Sequence, residues 1–320
     1  MRVLVTGAYG FIGAHVVKAL RERGADVIGA GRNLDVGRRL LPEIVWRHTD
    51  FNELLAVEAW RPVLEGIDAI VNCVGILQST RTDDAHRIQV TATTALFAAA
   101  EAMRIRRLVH VSAMSAEPEV ATEYASSRVA AEQDLARRDL DWVIVKPSLV
   151  LGEGSFGGTS MLRGLAGSPL VMLVPDVGGG RFQPIARHDL ADGHAALALG
   201  TVPSRQTLYA AGPETKTVAD LARDYRRWLG FPARPVLTLP AWLTRIAARL
   251  GDGAARLGSP SALRTASVEQ MRYGEVFDPA PFAAVTGRPS RPSRRSSPQR
   301  PPGSRTGCTP GSMPCGRSCN

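Results

Sequence analysis

Over the first 150 residues the apolar positions fall in short, nearly continuous runs separated by stretches of helical periodicity. Residues 3–6 (VLVT), 25–30 (ADVIGA), 44–46 (IVW), 69–74 (AIVNCV), 108–112 (LVHVS) and 142–145 (WVIV) read as strands. Between them, residues 13–23, 54–64, 84–103 and 123–138 read as helices. Strands that lack polar alternation are those buried on both faces. Their regular exchange with helices of 10 or more residues predicts βαβ units around a parallel sheet. The expected fold is α/β, a doubly wound parallel sheet.

After Pro147 this rhythm breaks. Residues 152–158 read as a loop, Gly178, Gly179 and Gly180 mark a sharp turn, and short helices are expected over 189–198, 218–229 and 240–250. The organisation predicted is a first domain over 1–150 and a smaller C-terminal domain over 151–287, interleaved with the first. Residues 288–320 then hold seven Pro, seven Ser and seven Arg, no acidic residue, and one large apolar side chain, Met313. Such a segment cannot bury enough surface to offset its ordering entropy, so disorder is expected. Its composition is that of GC-rich coding sequence read out of frame; the rival reading is a basic tail for an acidic surface.

The charge pattern narrows the function classes. The net charge of +9 lies mostly in that tail, and the body is near neutral, which argues against a nucleic-acid binder. Arg104, Arg106 and Arg107 are read as a solvated connection. Cys73 is the sole cysteine before residue 288, too few for a disulfide framework, so a reducing, cytoplasmic setting is expected. No apolar run reaches the length of a membrane span. The stretch 242–250 (WLTRIAARL) is amphipathic and basic; core packing is its first reading and a membrane-surface or partner contact its second. His86, His110, His188 and His194 lack metal-ligand spacing, so no metal is expected.

The chemistry lies in Gly7-Ala8-Tyr9-Gly10-Phe11-Ile12-Gly13, directly after the first strand and opening the first helix. Glycines there allow a tight turn, let backbone approach a pyrophosphate, and bring helix and strand close. The helix N-terminus adds free N–H groups and the positive end of its dipole. A dinucleotide site on a Rossmann-like sheet follows. At the end of the second strand, where an NAD site carries an acidic ribose reader, the chain has Gly31-Arg32-Asn33, and Asp35 comes too late. An arginine there pairs with a 2′-phosphate, so NADP(H) is expected over NAD(H). An ordinary solvated arginine is the alternative.

The G-x-x-G-x-x-G spacing resembles the short-chain dehydrogenase/reductase superfamily, and the likeness continues along the chain. Asp50-Phe51 resembles the pair beside the adenine, Asn72-Cys73-Val74-Gly75 the N-x-A-G element, and Val111-Ser112 the end of the fifth strand. Lys146-Pro147-Ser148 resembles the R-P-S element by the nicotinamide, and residues 183–191 the Q-P-V-x-V-x-D-V-A stretch of members with an added substrate domain. The resemblance covers about residues 1–287 and is greatest to the atypical branch that contains the NADPH-binding accessory subunit of respiratory complex I. It implies cofactor contacts from Gly7, Tyr9, Gly10, Phe11, Ile12, Gly13, Arg32, Asp50, Phe51, Cys73, Val74, Gly75, Val111, Tyr124, Arg128, Pro147 and Ser148.

For catalysis the resemblance implies Tyr124 as acid/base, Ser112 as hydrogen-bond donor to substrate oxygen, and Arg128 as charge partner. The family's usual Lys, four residues after the Tyr, lowers the Tyr pKa and holds the nicotinamide ribose; here that position is Arg128. A second register puts Ala113 at the serine site, and Gln89 stands near the usual Asn. The function expected is an NAD(P)-dependent oxidoreductase or epimerase acting on a small molecule. The alternative is a non-catalytic NADPH-binding accessory or redox-sensing protein of a quinone or respiratory-chain system.

Overall fold

The computed structural model describes residues 1–77, 79–80, 82–152, 158–200, 204–256, 265–272 and 276–287. The expected tail over 288–320, and most of the expected loop over 152–158, lie outside them. The first half alternates as β1 (Arg2–Thr6), α1 (Gly13–Glu22), β2 (Asp26–Gly31), α2 (Leu34–Leu40), β3 (Val45–His48), α3 (Val57–Leu64) and β4 (Ala69–Asn72). It continues through α4 (Thr93–Ala102), β5 (Arg107–Val111), α5 (Glu123–Ala136) and β6 (Trp142–Pro147). Then come β7 (Val150–Leu151), α6 (Gly158–Ala166), β8 (Met172–Pro175), β9 (Ile185–Ala186), α7 (Arg187–Leu199) and β10 (Gln206–Ala210). The described chain ends with α8 (Val218–Trp228), β11 (Val236–Leu239), α9 (Ala241–Arg256), α10 (Thr265–Arg272) and α11 (Ala280–Thr286).

The central sheet is the expected doubly wound, parallel, Rossmann-like one. Its seven strands run β10-β6-β5-β4-β1-β2-β3, so the order reverses between β1 and β4. One face packs on α3, α4 and α5, through Trp60, Leu64, Leu96, Phe97 and Leu135. The other packs on α1, α7 and α11, through Val16, Leu20, Leu190, Leu197 and Phe282. Two layers of helix explain the unbroken apolar runs: Val3, Leu4 and Val5 are all fully buried. A third cluster joins Leu162, Met172, Val174, Leu221 and Tyr225. There the Arg226 guanidinium ties the lobe by donating to the carbonyls of Ala166, Ser168 and Pro232.

Several elements differ from the sequence reading. The helix expected over 84–103 contains a π-helical segment, Arg87–Ala92, ahead of its main α-helical part. Helix α2 was not expected; it starts at Asn33, whose side chain accepts from the Val36 amide. The second half contains more strand than its short-helix pattern suggested: β10 extends the central sheet beside β6, and β8 pairs with β11. Gly178 and Gly179 do turn the chain, at φ +68° and +80°. Arg107 corrects the solvated reading of the basic connection. It is buried, bonds Asp141 through Nε at 2.8 Å, and reaches the Leu197 carbonyl in α7.

His194, at the centre of α7, is fully buried: Nδ1 donates to the Leu190 carbonyl at 2.7 Å, and the ring edge meets Phe282. Burial pushes its pKa down to about 4. In the unfolded chain a histidine titrates near ~6.5, so below that pH the unfolded state takes up a proton that the native state refuses. The His194 contribution is therefore complete above about pH 7 and is lost as the pH falls toward 4. It should amount to about 2 kcal/mol between about pH 7.5 and 5. Urea unfolding at both values, on wild type and His194→Gln, should give a pH-dependent loss smaller by about that amount in the variant.

Candidate cofactor and active site

The loop between β1 and α1 is built by glycines with different tasks. Gly7 turns the chain at φ +63°. A Cβ on Gly13 would overlap the Gly7 carbonyl, whereas one on Gly10 would lie 3.0 Å from the same oxygen. Of the three, Gly13 is thus the one that backbone packing forbids replacing. No side chain caps the N-terminus of α1; the Ala14 and His15 amides donate to the Gly10 and Ile12 carbonyls, and the Gly13 amide has no backbone partner among the described residues. A cavity of about 560 Å³ runs from this loop along the ends of the strands.

Every site residue expected from the sequence lines that cavity. Gly7, Tyr9, Gly10, Phe11, Ile12 and Gly13 form its floor at α1. Arg32, Asp50 and Phe51 lie at one end, with Cys73, Val74 and Gly75 over the middle. Val111, Ser112, Tyr124, Arg128, Pro147 and Ser148 close the other end. The Tyr9 ring rests on Gly31, where a Cβ would leave it no room to pack, and its phenol oxygen accepts from the Asn33 amide at 3.2 Å. Burial pushes the Cys73 thiol up to about 12, against the pull of Arg128, so it is neutral at physiological pH.

A polar chain lies beneath the cavity. Thr6 Oγ1 donates to Asn72 Oδ1 at 2.6 Å, and Asn72 Nδ2 meets His110 Nδ1 at 3.1 Å. These residues are register partners on β1, β4 and β5, so the bonds cross the point where the strand order reverses. Burial, reinforced by the Arg128 charge, holds His110 well below its usual pKa. The neutral ring accepts the Asn72 amide proton at Nδ1.

The Arg128 guanidinium is buried in this region. Nη1 donates to the Val111 carbonyl at 2.7 Å, and the group lies 5.4 Å from the Tyr124 ring centroid. Its Nε has no partner in the described structure. Ser112 takes a different orientation: its hydroxyl donates to Glu132 in a short bond, and Glu132 in turn pairs with buried Lys146 at 3.0 Å. Lys146 also donates to Glu117 and to the Ala116 carbonyl. Burial raises the Glu132 carboxyl despite these contacts. Gln89, in the π-helical segment, donates to Ser127 and leaves its own carbonyl oxygen buried without a partner.

At the opposite end Arg32 grips Asp83, at 2.5 and 3.3 Å, and Asn52 links Asp83 to Asp50. Burial alone would raise the Asp83 carboxyl; the Arg32 and Asn52 bonds outweigh it and hold it below the usual range. Asp83 was missed because its partner lies 51 residues away and no local motif marks it. Met114, Ser115, Leu149, Arg181 and Phe182 were missed too, although they line the cavity beyond Tyr124.

Over residues 7–197 the sequence matches the NAD(P)H-binding family. The chain belongs to that family. A 3-diazoavenalumate denitrifying reductase from a Streptomyces species is 31% identical to this NAD(P)H-binding protein over 278 residues, covering 76% of this chain and 86% of its own. A ceramide reductase from Caulobacter vibrioides is 26% identical over 175 residues, covering 53% of this chain and 52% of its own, so the chain spans about half of that relative. An Escherichia coli NADPH-dependent quinone oxidoreductase complexed with NADPH has the same fold, with a TM-score of 0.70 at 16% identity, covering 92% of this chain and 98% of its own. A nucleoside-diphosphate-sugar epimerase from Staphylococcus aureus gives 0.70 at 15% identity, with the same coverage. The chain thus shares its fold with a solved quinone oxidoreductase and a solved epimerase, and its family is the NAD(P)H-binding one that the glycine loop implied. Among the described residues no helix is long and apolar enough to cross a membrane.

One contact here is directly testable. A Cβ on Gly75 would overlap Arg128 Nη2, so glycine and arginine are coupled. Gly75→Ala should cost about 1–3 kcal/mol in urea unfolding, and much less in an Arg128→Ala background. Additive costs would mean that the methyl group is accommodated elsewhere.

Proposed function

We propose that this protein is an NADPH-dependent reductase of a carbonyl or quinone group on a largely apolar small molecule. The observation that carries the reading is the continuity of one cavity. It joins the glycine loop to Tyr124 and Arg128, then extends between Ile76, Leu77, Met114, Leu149 and Phe182, with Arg181 as the cation. The similarity to curated reductases supports reduction as the direction of chemistry. The residues after 150 act as the substrate side of this arrangement, and the cytoplasm is the proposed location.

The residues fit a dinucleotide: an uncapped helix N-terminus meets the cavity, and a buried guanidinium nitrogen has no partner there. Gly10, Phe11, Ile12 and Gly13 would hold the pyrophosphate, and Asp50 and Phe51 would border the adenine. The bound cofactor supplies the hydride. Tyr124 gives the proton to the substrate oxygen, and Arg128 keeps positive charge beside it while fixed to Val111. Ser112, with its hydrogen directed to Glu132, faces the reaction as an acceptor unless Glu132 takes a proton. That orientation and the arginine at position 128 favour the second reading, an NADPH-binding accessory or redox-sensing protein without turnover.

Arg32 is proposed to exchange Asp83 for the 2′-phosphate. Arg32→Ala should then weaken NADPH about tenfold in fluorescence titration and leave NADH unchanged. Equal losses for both would remove Arg32 as the discriminating group. Tyr124→Phe should lower turnover of apolar ketones or quinones about a hundredfold or more without changing NADPH affinity. Unchanged turnover would end the acid/base assignment. Absence of turnover in wild type, with tight NADPH binding, would favour the accessory reading.

A further inference from the structure

Helix α9 has two unlike faces. Thr244 and Ala248 are buried, and Thr244 fastens the helix to the lobe: Oγ1 donates to the Leu239 carbonyl and accepts from the Asp176 amide. The face turned away from them carries Trp242, Ile246 and Leu250, spaced by four and exposed by 62%, 46% and 71%. Arg245 and Arg249 are exposed beside this ridge, and no ion pair engages either among the described residues. Large apolar side chains of this number are rarely left in water together. The strands β8 and β11, just before the helix in the fold, add Leu173 and Leu237, register partners that are both exposed.

We propose that this face of α9 is a docking surface for an anionic lipid bilayer, with the helix lying in the interface plane. The helix is already anchored through its opposite side, so the ridge is not needed to hold the lobe. Trp, Ile and Leu flanked by Arg is the composition that enters the headgroup boundary, with the apolar side chains inserted and the guanidinium groups at phosphate depth. Charge selects the occupant. A second copy docked face to face would bring Arg245 and Arg249 toward their own counterparts, which opposes a two-fold contact. Residues 288–320, with seven Arg and no acid, carry the same sign and add to the attraction toward an anionic surface. The surface is distinct from the cofactor cavity, whose lining includes no α9 residue.

Co-sedimentation of the full chain tests this with phosphatidylglycerol–phosphatidylcholine vesicles, and with phosphatidylcholine alone. Wild type should bind the anionic vesicles, bind the neutral ones less, and be released by added salt. Two variants should each reduce partitioning about tenfold or more: Trp242→Ala with Ile246→Ala and Leu250→Ala, and Arg245→Gln with Arg249→Gln. Their NADPH affinity should be unchanged, which also verifies that they fold. Wild type remaining in the supernatant would overturn the proposal. So would binding that both variants retain, or a wild-type dimer in sedimentation equilibrium that the triple variant dissociates.

Discussion

Gly13 has no side chain, and that absence sets how near α1 comes to the loop before it. Any Cβ there would overlap the Gly7 carbonyl and crowd Ala8. The close approach brings the uncapped start of α1 to the end of β1, beside the crevice where the strand order reverses. The positive end of the helix dipole then faces the same space that Cys73, Val74 and Gly75 after β4 and Val111 in β5 line. The cavity follows from this one contact: a bulkier residue would lift α1 and separate the helix start from the strand ends.

The polar groups beneath the cavity are constrained by their burial. A buried donor or charge is costly unless paired, and breaking one partner costs more than the pair is worth. Thr6, Asn72 and His110 bond one another across three adjacent strands, which leaves His110 Nε2 as a buried atom without a partner among the described residues. Lys146 is answered by Glu132 and Glu117, and Glu132 draws in the Ser112 hydroxyl. The demand of a buried ion pair therefore directs Ser112 away from a substrate. Ser115 and Ser148 carry further hydroxyl groups on the cavity wall, whereas Ala113, the residue of the second register, carries none.

The parts legible in the sequence were those encoded locally. Continuous apolar runs identified six strands of the central sheet, because double burial removes polar alternation. The glycine spacing located the cavity floor, because Gly10 and Gly13 both face the nearby Gly7 carbonyl and Gly7 itself turns the chain at φ +63°. Strand β10 was not legible: QTLYA has little apolar density, and its place beside β6 depends on the sheet edge being open to a late segment. The π-helical turn was invisible because it differs from an α-helix by a register of hydrogen bonds and not by composition. Asp83 and the Ser112–Glu132–Lys146 chain arise from long-range pairing, which no periodicity records. Arg107 shows the reverse error: a run of arginines reads as solvated, yet one member is buried because Asp141 sits across from it.

Arg128 changes what the site can do with a proton. A lysine at that position could lose its proton and pass it on, while a guanidinium remains charged at any physiological pH. Arg128 also spends one donor on the Val111 carbonyl and lies against Gly75, where a Cβ would displace its Nη2. Charge and position are therefore kept, and proton exchange through the side chain is not. In the proposed reaction the proton that Tyr124 gives away must return from water at the cavity mouth or through the ligand itself. A site of this kind can bind and orient a ligand tightly while turning over slowly, so the two proposed readings differ in rate and not in architecture.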